Sequence, residues 1–407
     1  MHAPRTELNA AAVPKLACFE AIRGLAAFSV LVGHFLLGFW PSVVFLEGLG
    51  WREVPAVLRF LARFPGKFLW NGPLAVSIFF VLSGFVLSLA YFQKGSAPAL
   101  GSAATRRYPR LMIPVAASVL LAFALLQTGV MFTQDAVQHM NEVYGLPPQT
   151  DFNGGNGFTN KWLAVYYNFL PDFRTALSEG TWGAFSGVVT YNPVLWTMTI
   201  ELTGSFLVYC FLALFGSLRN RWLLYGLCGG MLLWTERIFL LDFLLGMALC
   251  DLWVQNQRSW QWSLGRVPAL LLIGVALFLL PWKPLAAVLV VGAAAVSPRV
   301  QELLEGRWLA LLGRLSFSLY LVHMVIFSSL GCGLYLILCR DLGWSHFAGS
   351  ATAGLAATVG SFLTAWIFYH LVDRPAIALT RWLDIWLFRP RATAAAVPTI
   401  LRLSRAA

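Results

Sequence analysis

Charge is scarce in this chain. Only 12% of its 407 residues are Asp, Glu, Lys or Arg, about half the share usual in a soluble domain. With a mean hydropathy of +0.70, that excludes an ordinary water-soluble globule. Acidic residues are the scarcer kind, 18 against 29 basic, for a net charge of +11. The excess is not read as a nucleic-acid surface, because the basic residues fall in short runs between apolar stretches and there set membrane topology. Cysteine is sparse as well: the six present form no CxxC pair and no Cys/His metal spacing, so no metal is expected. Cys18, Cys210, Cys228 and Cys250 read as packing. Cys332 and Cys339 stand seven apart on one predicted helix, about 10 Å between α-carbons and too far for a disulfide. The N-terminal residues lack the layout of a cleaved signal, so the first span is expected to be retained. No repeat, low-complexity domain or appended globular domain is visible.

What the chain has in quantity is apolar runs. Against a requirement of about 20 residues per crossing, they begin near residues 20, 73, 111, 194, 222, 239, 268, 284, 315 and 349. The predicted fold is all-α: a polytopic transmembrane helix bundle of about ten spans. Trp234-Thr-Glu-Arg237 and Pro281-Trp-Lys-Pro284 serve as tight turns. With both termini cytoplasmic, 19 Lys and Arg fall inside and nine outside, Arg23 lying within a span; this asymmetry sets the predicted orientation. The organisation follows: a cytoplasmic segment 1–18, a membrane domain 19–378, and an interfacial helix with a flexible tail 379–407. A multi-pass protein of the cell membrane is expected. On the outer side, residues 51–70 carry Arg52, Arg59, Arg63 and Lys67, and the Leu58/Leu61/Phe64 spacing predicts an amphipathic surface helix. The long outer stretch 133–191 holds Tyr144, Trp162, Tyr166, Tyr167 and Trp182. It reads either as an ordered cap over an opening or as packing on the bundle.

Ionisable residues inside the apolar runs mark the candidate chemistry, since an intramembrane charge normally faces protein or a wet cavity. Arg23 and His34 are eleven residues apart, three helical turns plus about 20°, so they share a face about 16 Å apart along the axis. Histidine is the natural general base at neutral pH. In Phe79-Phe80-Val-Leu-Ser83-Gly84-Phe85, the small residues mean either close helix packing or a groove for a ligand. Arg107 and Arg110, one turn apart, set topology or grip phosphate oxygens in a fork. Glu201 either neutralises an arginine or orients His34. Ser316, Tyr320 and His323 lie on one face, as a polar seam or as substrate contacts. Tyr369-His370-Leu-Val-Asp373-Arg374-Pro375 reads as a helix end with local ion pairing. A transporter or flippase using His34, Glu201 and His323 as a relay is the rival class, and it calls for two similar halves that are not visible here.

Taken in order, Arg23 with ten residues before His34, the Phe-Phe-Val-Leu-Ser-Gly-Phe85 stretch, Arg107-x-x-Arg110, Leu195-Trp-x-x-x-x-Glu201, Ser-Phe-Ser-Leu-Tyr-Leu-Val-His323 and the Tyr-His-x-x-Asp-Arg-Pro375 ending resemble the acyltransferase 3 family of integral membrane acyltransferases, over residues 18 to 378. The resemblance implies transfer of an acyl group, commonly acetyl, from cytoplasmic acyl-CoA to a hydroxyl of a cell-surface or lipid-linked carbohydrate. It implies His34 as the catalytic residue; Glu201 stands beside it as a candidate from its own place in an apolar span. By the resemblance Arg23, Arg107 and Arg110 would engage the donor, and Ser83, Gly84 and Phe85 would shape the substrate site; Tyr320 and His323 join them as candidate substrate contacts from their shared face. No permanently bound cofactor is expected; acyl-CoA is a substrate. The other partners expected are membrane lipids and the glycan acceptor, with no nucleic acid.

Overall fold

The computed structural model describes residues 17–45, 54, 56–63, 69–94, 97–143, 170–259 and 282–388, which are helical with no strand among them. The main helices are α1 (Ala17–Phe39), α2 (Gly72–Lys94), α3 (Ala97–Gln127), α4 (Thr133–Val143), α5 (Trp196–Phe215), α6 (Arg221–Trp234), α7 (Ile238–Ser259), α8 (Lys283–Val296), α9 (Arg307–Ile326) and α10 (His346–Phe368). Through π turns, α9 continues to Asp341 and α10 runs on into a helix Arg374–Phe388. Among the described residues, seven helices are long and apolar enough to cross a membrane. An eighth span results if α8 and Pro298–Leu304, bent by 95°, count as one. This is fewer than the ten runs in the sequence. The run near 222 folds as the 14-residue α6, about 21 Å long against a hydrocarbon core of about 30 Å. The run near 268, the N-terminal segment 1–16 and the tail beyond 388 lie outside the described residues.

Small residues decide how closely these helices approach. Gly84 of α2 lies against the carbonyl of Phe243, and Gly246 of α7 lies against the carbonyl of Val81, so each helix rests a glycine on its partner's backbone. A side chain at either place would overlap that carbonyl. Of the two readings of Gly84, close packing is therefore the correct one, and the groove reading falls. Phe85 follows suit: it is fully buried, edge-on to Phe19 at 4.9 Å and to Trp253 at 5.7 Å, and it packs α1 and α7 onto α2. On the other flank of α1, Gly24 meets the backbone of Leu312 and Gly313 on α9. Thus α1 is held between α2 and α9, with Arg23 and His34 facing inward.

Of the two readings of the stretch 133–191, its described parts follow packing on the bundle. Its first part, α4, lies beside Tyr335 through His139, ring centroids 5.9 Å apart. Tyr144, Trp162, Tyr166 and Tyr167 fall outside the described residues. The remainder is not a cap: Phe173–Ser178, Glu179–Gly183 and Ala184–Ser186 run along α3. The Gln127 side chain donates to the Pro171 carbonyl at 3.2 Å, Phe123 faces Phe173 at 5.8 Å, Gly180 abuts Ala116, and the Tyr108 hydroxyl donates to the Thr181 carbonyl at 2.5 Å. Gln127 and Tyr108 are about 28 Å apart along a helix, so the segment descends most of the length of α3. The return is tied both to itself and to α9. The Glu179 carboxylate accepts the backbone N–H groups of Thr190 and Tyr191 at 2.7 and 3.0 Å, and the buried Asn192 side chain donates to the Leu321 carbonyl at 2.7 Å. A segment that enters a bundle without crossing it must satisfy its backbone in this way. Among its exposed residues Phe173, Leu177, Trp182 and Val188 are large and apolar, beside the exposed Asp172, Arg174, Thr175, Ser178 and Ser186.

Of the outer stretch 51–70, the described part holds a helix Ala56–Leu61, whose Leu58 packs with Val43, Val54 and Ala62 beside Trp40 at the end of α1. Arg52, Phe64 and Lys67 lie outside the described residues.

The glycine contacts can be tested directly. Gly84→Val or Gly246→Val should destabilise the protein by about 1–3 kcal/mol or more through overpacking, read as a lower melting temperature in detergent. Gly230→Val on α6, where nothing lies within 4 Å, should melt like the unsubstituted protein.

Candidate active site

Five helices converge on one cavity, lined by Arg23 (α1), Val76, Phe79, Phe80 and Ser83 (α2), Arg107, Arg110 and Leu111 (α3), Thr197, Met198 and Glu201 (α5), and Phe317 and Tyr320 (α9). Each polar residue reaches it by helical periodicity. On α5, Thr197, Glu201 and Ser205 recur every four residues and form one polar stripe. That pattern was readable in the chain, yet only Glu201 drew notice there.

Glu201 is the hub. Its carboxylate is ion-paired with the Arg107 guanidinium and accepts the Ser83 hydroxyl at 2.9 Å. Arg107 Nε donates to Ser205 Oγ at 2.8 Å, and Ser205 in turn donates to the Glu201 carbonyl at 2.6 Å. Of its two readings, Glu201 therefore takes that of arginine partner; His34 bonds elsewhere. Arg110 points to Asp373 at the far end of α10, 3.9 Å away. The ion pairing of the 369–375 ending is thus not local but reaches across to α3. Arg23 also lines the cavity, within electrostatic reach of Glu201, Arg107 and Asp373. Among the described residues it makes no hydrogen bond or ion pair. A guanidinium carries five donors, so Arg23 presents unspent donors to the cavity.

Arg107 and Arg110 also border a second, open groove with Arg106, Tyr209, Thr380 and Arg381. The two spaces share these arginines as lining, towards the Ala17 end of α1. Arg106, Tyr209, Thr380 and Arg381 were not singled out in the sequence. The latter two belong to the interfacial helix, whose folding back over α3 leaves no local sequence mark.

Three turns along α1 from Arg23, His34 does not line the cavity. Its Nδ1 lies 2.9 Å from Nε2 of His323 on α9, the rings 18° from parallel with centroids 5.1 Å apart. Tyr320 connects the two regions. It lines the cavity, its hydroxyl lies 3.0 Å from Thr197 Oγ1 and donates to the Val194 carbonyl at 3.0 Å, and its ring centroid is 5.9 Å from that of His323. Phe79 meets Tyr320 edge-on at 6.0 Å. Ser316 donates within its own helix to the Gly313 carbonyl. Of the expected substrate-shaping residues, then, Ser83 and Tyr320 line the cavity, His323 pairs with His34, and Gly84 and Phe85 are spent on packing.

Three arginines thus share one cavity, and Tyr320 stands between that cavity and the histidine pair. Comparison with known proteins gives the family. The Acyltransferase domain family, acyltransferase 3, matches residues 16–370. The chain is 23% identical to O-acetyltransferase PaAT-1 of Phomopsis amygdali, over 89% of this chain and 83% of that protein. It is 26% identical to Acyltransferase R4 of a Phoma species, over 76% of this chain and 80% of that one. No solved structure matches the chain. With a family match across most of the chain and, among the described residues, seven or eight helices able to cross a bilayer, the protein belongs to the acyltransferase 3 family and is a multi-pass membrane acyltransferase.

Proposed function

We propose that the enzyme transfers an acyl group, most simply acetyl, from acyl-CoA to a hydroxyl of a cell-surface or lipid-linked carbohydrate, acting in the cell membrane with its donor groove on the cytoplasmic side. The observation that carries this reading is Arg23: a guanidinium in the wall of a mostly apolar intramembrane cavity, with donors unspent, behind a groove bordered by Arg106, Arg107, Arg110 and Arg381. Such a gradient of arginines suits a carrier with several phosphates at one end and a long neutral arm. The Lys and Arg asymmetry supports a cytoplasmic side for that groove, where CoA thioesters are available. The name of the Phomopsis relative, an O-acetyltransferase, supports acetyl as the group and oxygen as its destination.

In this reading the phosphates sit in the groove and the arm passes the cavity towards Tyr320 and His34. The acceptor hydroxyl gives its proton to His34 as its oxygen attacks the thioester carbonyl. The acyl–sulfur bond breaks, the acyl–oxygen bond forms, and the CoA thiolate takes the proton back from the histidine. No cysteine lines the cavity among the described residues, so direct attack is the simplest course. Glu201 serves by holding Arg107 in place rather than by touching His34.

His34→Ala should lower acyl transfer by about 10²–10⁴-fold, the usual weight of a general base, with membrane insertion intact; transfer at near-normal rate would sink the assignment. For the donor, the arginines must be separated by their partners. Arg107→Gln leaves Glu201 buried without its cation, at about 3–5 kcal/mol, so its melting temperature should fall along with activity. Arg23→Gln strands no partner. It should melt normally while KM for acetyl-CoA rises about tenfold, corresponding to about 1.4 kcal/mol. An unchanged KM in Arg23→Gln would count against donor binding in the cavity. Incubating membranes with radiolabelled acetyl-CoA should place label in an alkali-labile ester on glycan; label in a glycan-free fraction would redirect the search for the acceptor.

A further inference from the structure

The histidine pair carries information that neither histidine carries alone. His323 is fully buried, and its Nδ1 lies 2.8 Å from the Tyr320 carbonyl and 3.1 Å from the Leu319 carbonyl of its own helix. A carbonyl oxygen has no hydrogen to give, so the proton between them belongs to Nδ1 of His323. In a neutral ring the other nitrogen, Nε2, then holds a lone pair. That nitrogen faces Nδ1 of His34 at 2.9 Å. Two lone pairs cannot share such a distance, so Nδ1 of His34 must be the donor. The ring geometry agrees: centroids 5.1 Å apart at 18° is the spacing of two imidazoles joined nitrogen to nitrogen, not laid face to face. With its hydrogen on Nδ1, neutral His34 has its basic lone pair on Nε2.

We infer that His323 is a positioning residue that holds His34 in the Nδ1–H tautomer, so that Nε2 is the nitrogen that takes the acceptor's proton. The backbone of α9 is the origin of this order: the carbonyls of Leu319 and Tyr320 fix the proton of His323, and His323 fixes that of His34. Here a second neutral ring does the work that a carboxylate or carbonyl does for other histidine bases. The arrangement suits the depth of the site, where an added charge would be expensive. When His34 takes a proton on Nε2, the resulting cation keeps its Nδ1–H bond to His323, so no bond has to be remade during transfer. The inference rests on the reading of His34 as general base for its catalytic meaning, but the tautomer itself does not.

The test reads the tautomer first. The full-length protein is labelled with ¹⁵N-histidine in detergent micelles, and the ring nitrogens are read through their carbon-bound protons, with His34 assigned by the signals lost in His34→Asn. Both His34 and His323 should show protonated Nδ1 and unprotonated Nε2. In His323→Leu, His34 should move towards the Nε2–H form. A wild-type His34 carrying its proton on Nε2, or one unmoved in His323→Leu, overturns the inference. Activity supplies the second arm, as acetyl-CoA consumed by membranes holding each variant. His323→Leu should lose about a hundredfold in kcat, by analogy with removing the group that orients a catalytic histidine, with KM for acetyl-CoA within about twofold. His323→Gln, whose side-chain carbonyl accepts the same Nδ1–H, should recover most of that loss. Equal losses in the two variants, or none in His323→Leu, count against positioning. Should His34→Ala remain active, the general-base reading falls while the tautomer result stands; should His34→Ala be inactive and His34 prove Nε2–H, only the positioning inference falls.

Discussion

The pairing of Arg107 with Glu201 is the constraint around which the interior is arranged. A carboxylate within an apolar span is tolerable only with a cation and further hydrogen bonds beside it. Glu201 has both, from α3 and from Ser83 of α2. Ser205 completes the arrangement by bonding Arg107 and the Glu201 carbonyl together. Three helices are thereby drawn to one point. With Arg107 neutralised, the next cations, Arg23 and Arg110, give the cavity its character. Arg110 faces Asp373 at 3.9 Å, while Arg23 keeps its donors for whatever enters.

The helices could not converge so tightly without the backbone contacts at Gly84, Gly246 and Gly24. In lipid there is little hydrophobic gain from bringing apolar helices together, so close van der Waals approach through small residues does much of that work. Those contacts fix α1 between α2 and α9, and with it the register that sets His34 opposite His323. A similar economy governs the segment along α3. It packs along the bundle because Glu179 and Tyr191 satisfy its polar backbone from within, while Asn192 ties it to the Leu321 carbonyl of α9. Its descent brings Pro193–Leu195 and the start of α5 to Tyr320, so the position of Tyr320 between cavity and histidines depends on it.

The chemistry is spread along one axis. The charged groups collect at one end of α1 and the neutral histidine pair sits three turns away, with Tyr320 and Phe79 between them.

Much of this was legible in the chain. Scarcity of charge and the long apolar runs required a helical membrane bundle, since only helices and closed barrels satisfy their backbones in lipid. The spacing of Arg23 and His34 put both on one face because helical periodicity is local. For the same reason the order of short motifs from Arg23 to Pro375 pointed to the family. What needed the tertiary structure was every choice between partners. Whether Glu201 served an arginine or His34, whether Gly84 made a groove or a contact, and whether Asp373 paired nearby or with Arg110 all turned on helices brought together from distant parts of the chain. The pairing of His34 with His323, 289 residues apart, is the clearest case. Periodicity assigns each to a face of its own helix, but only the packing of α1 on α9 decides that the two faces meet, and hence where each proton lies.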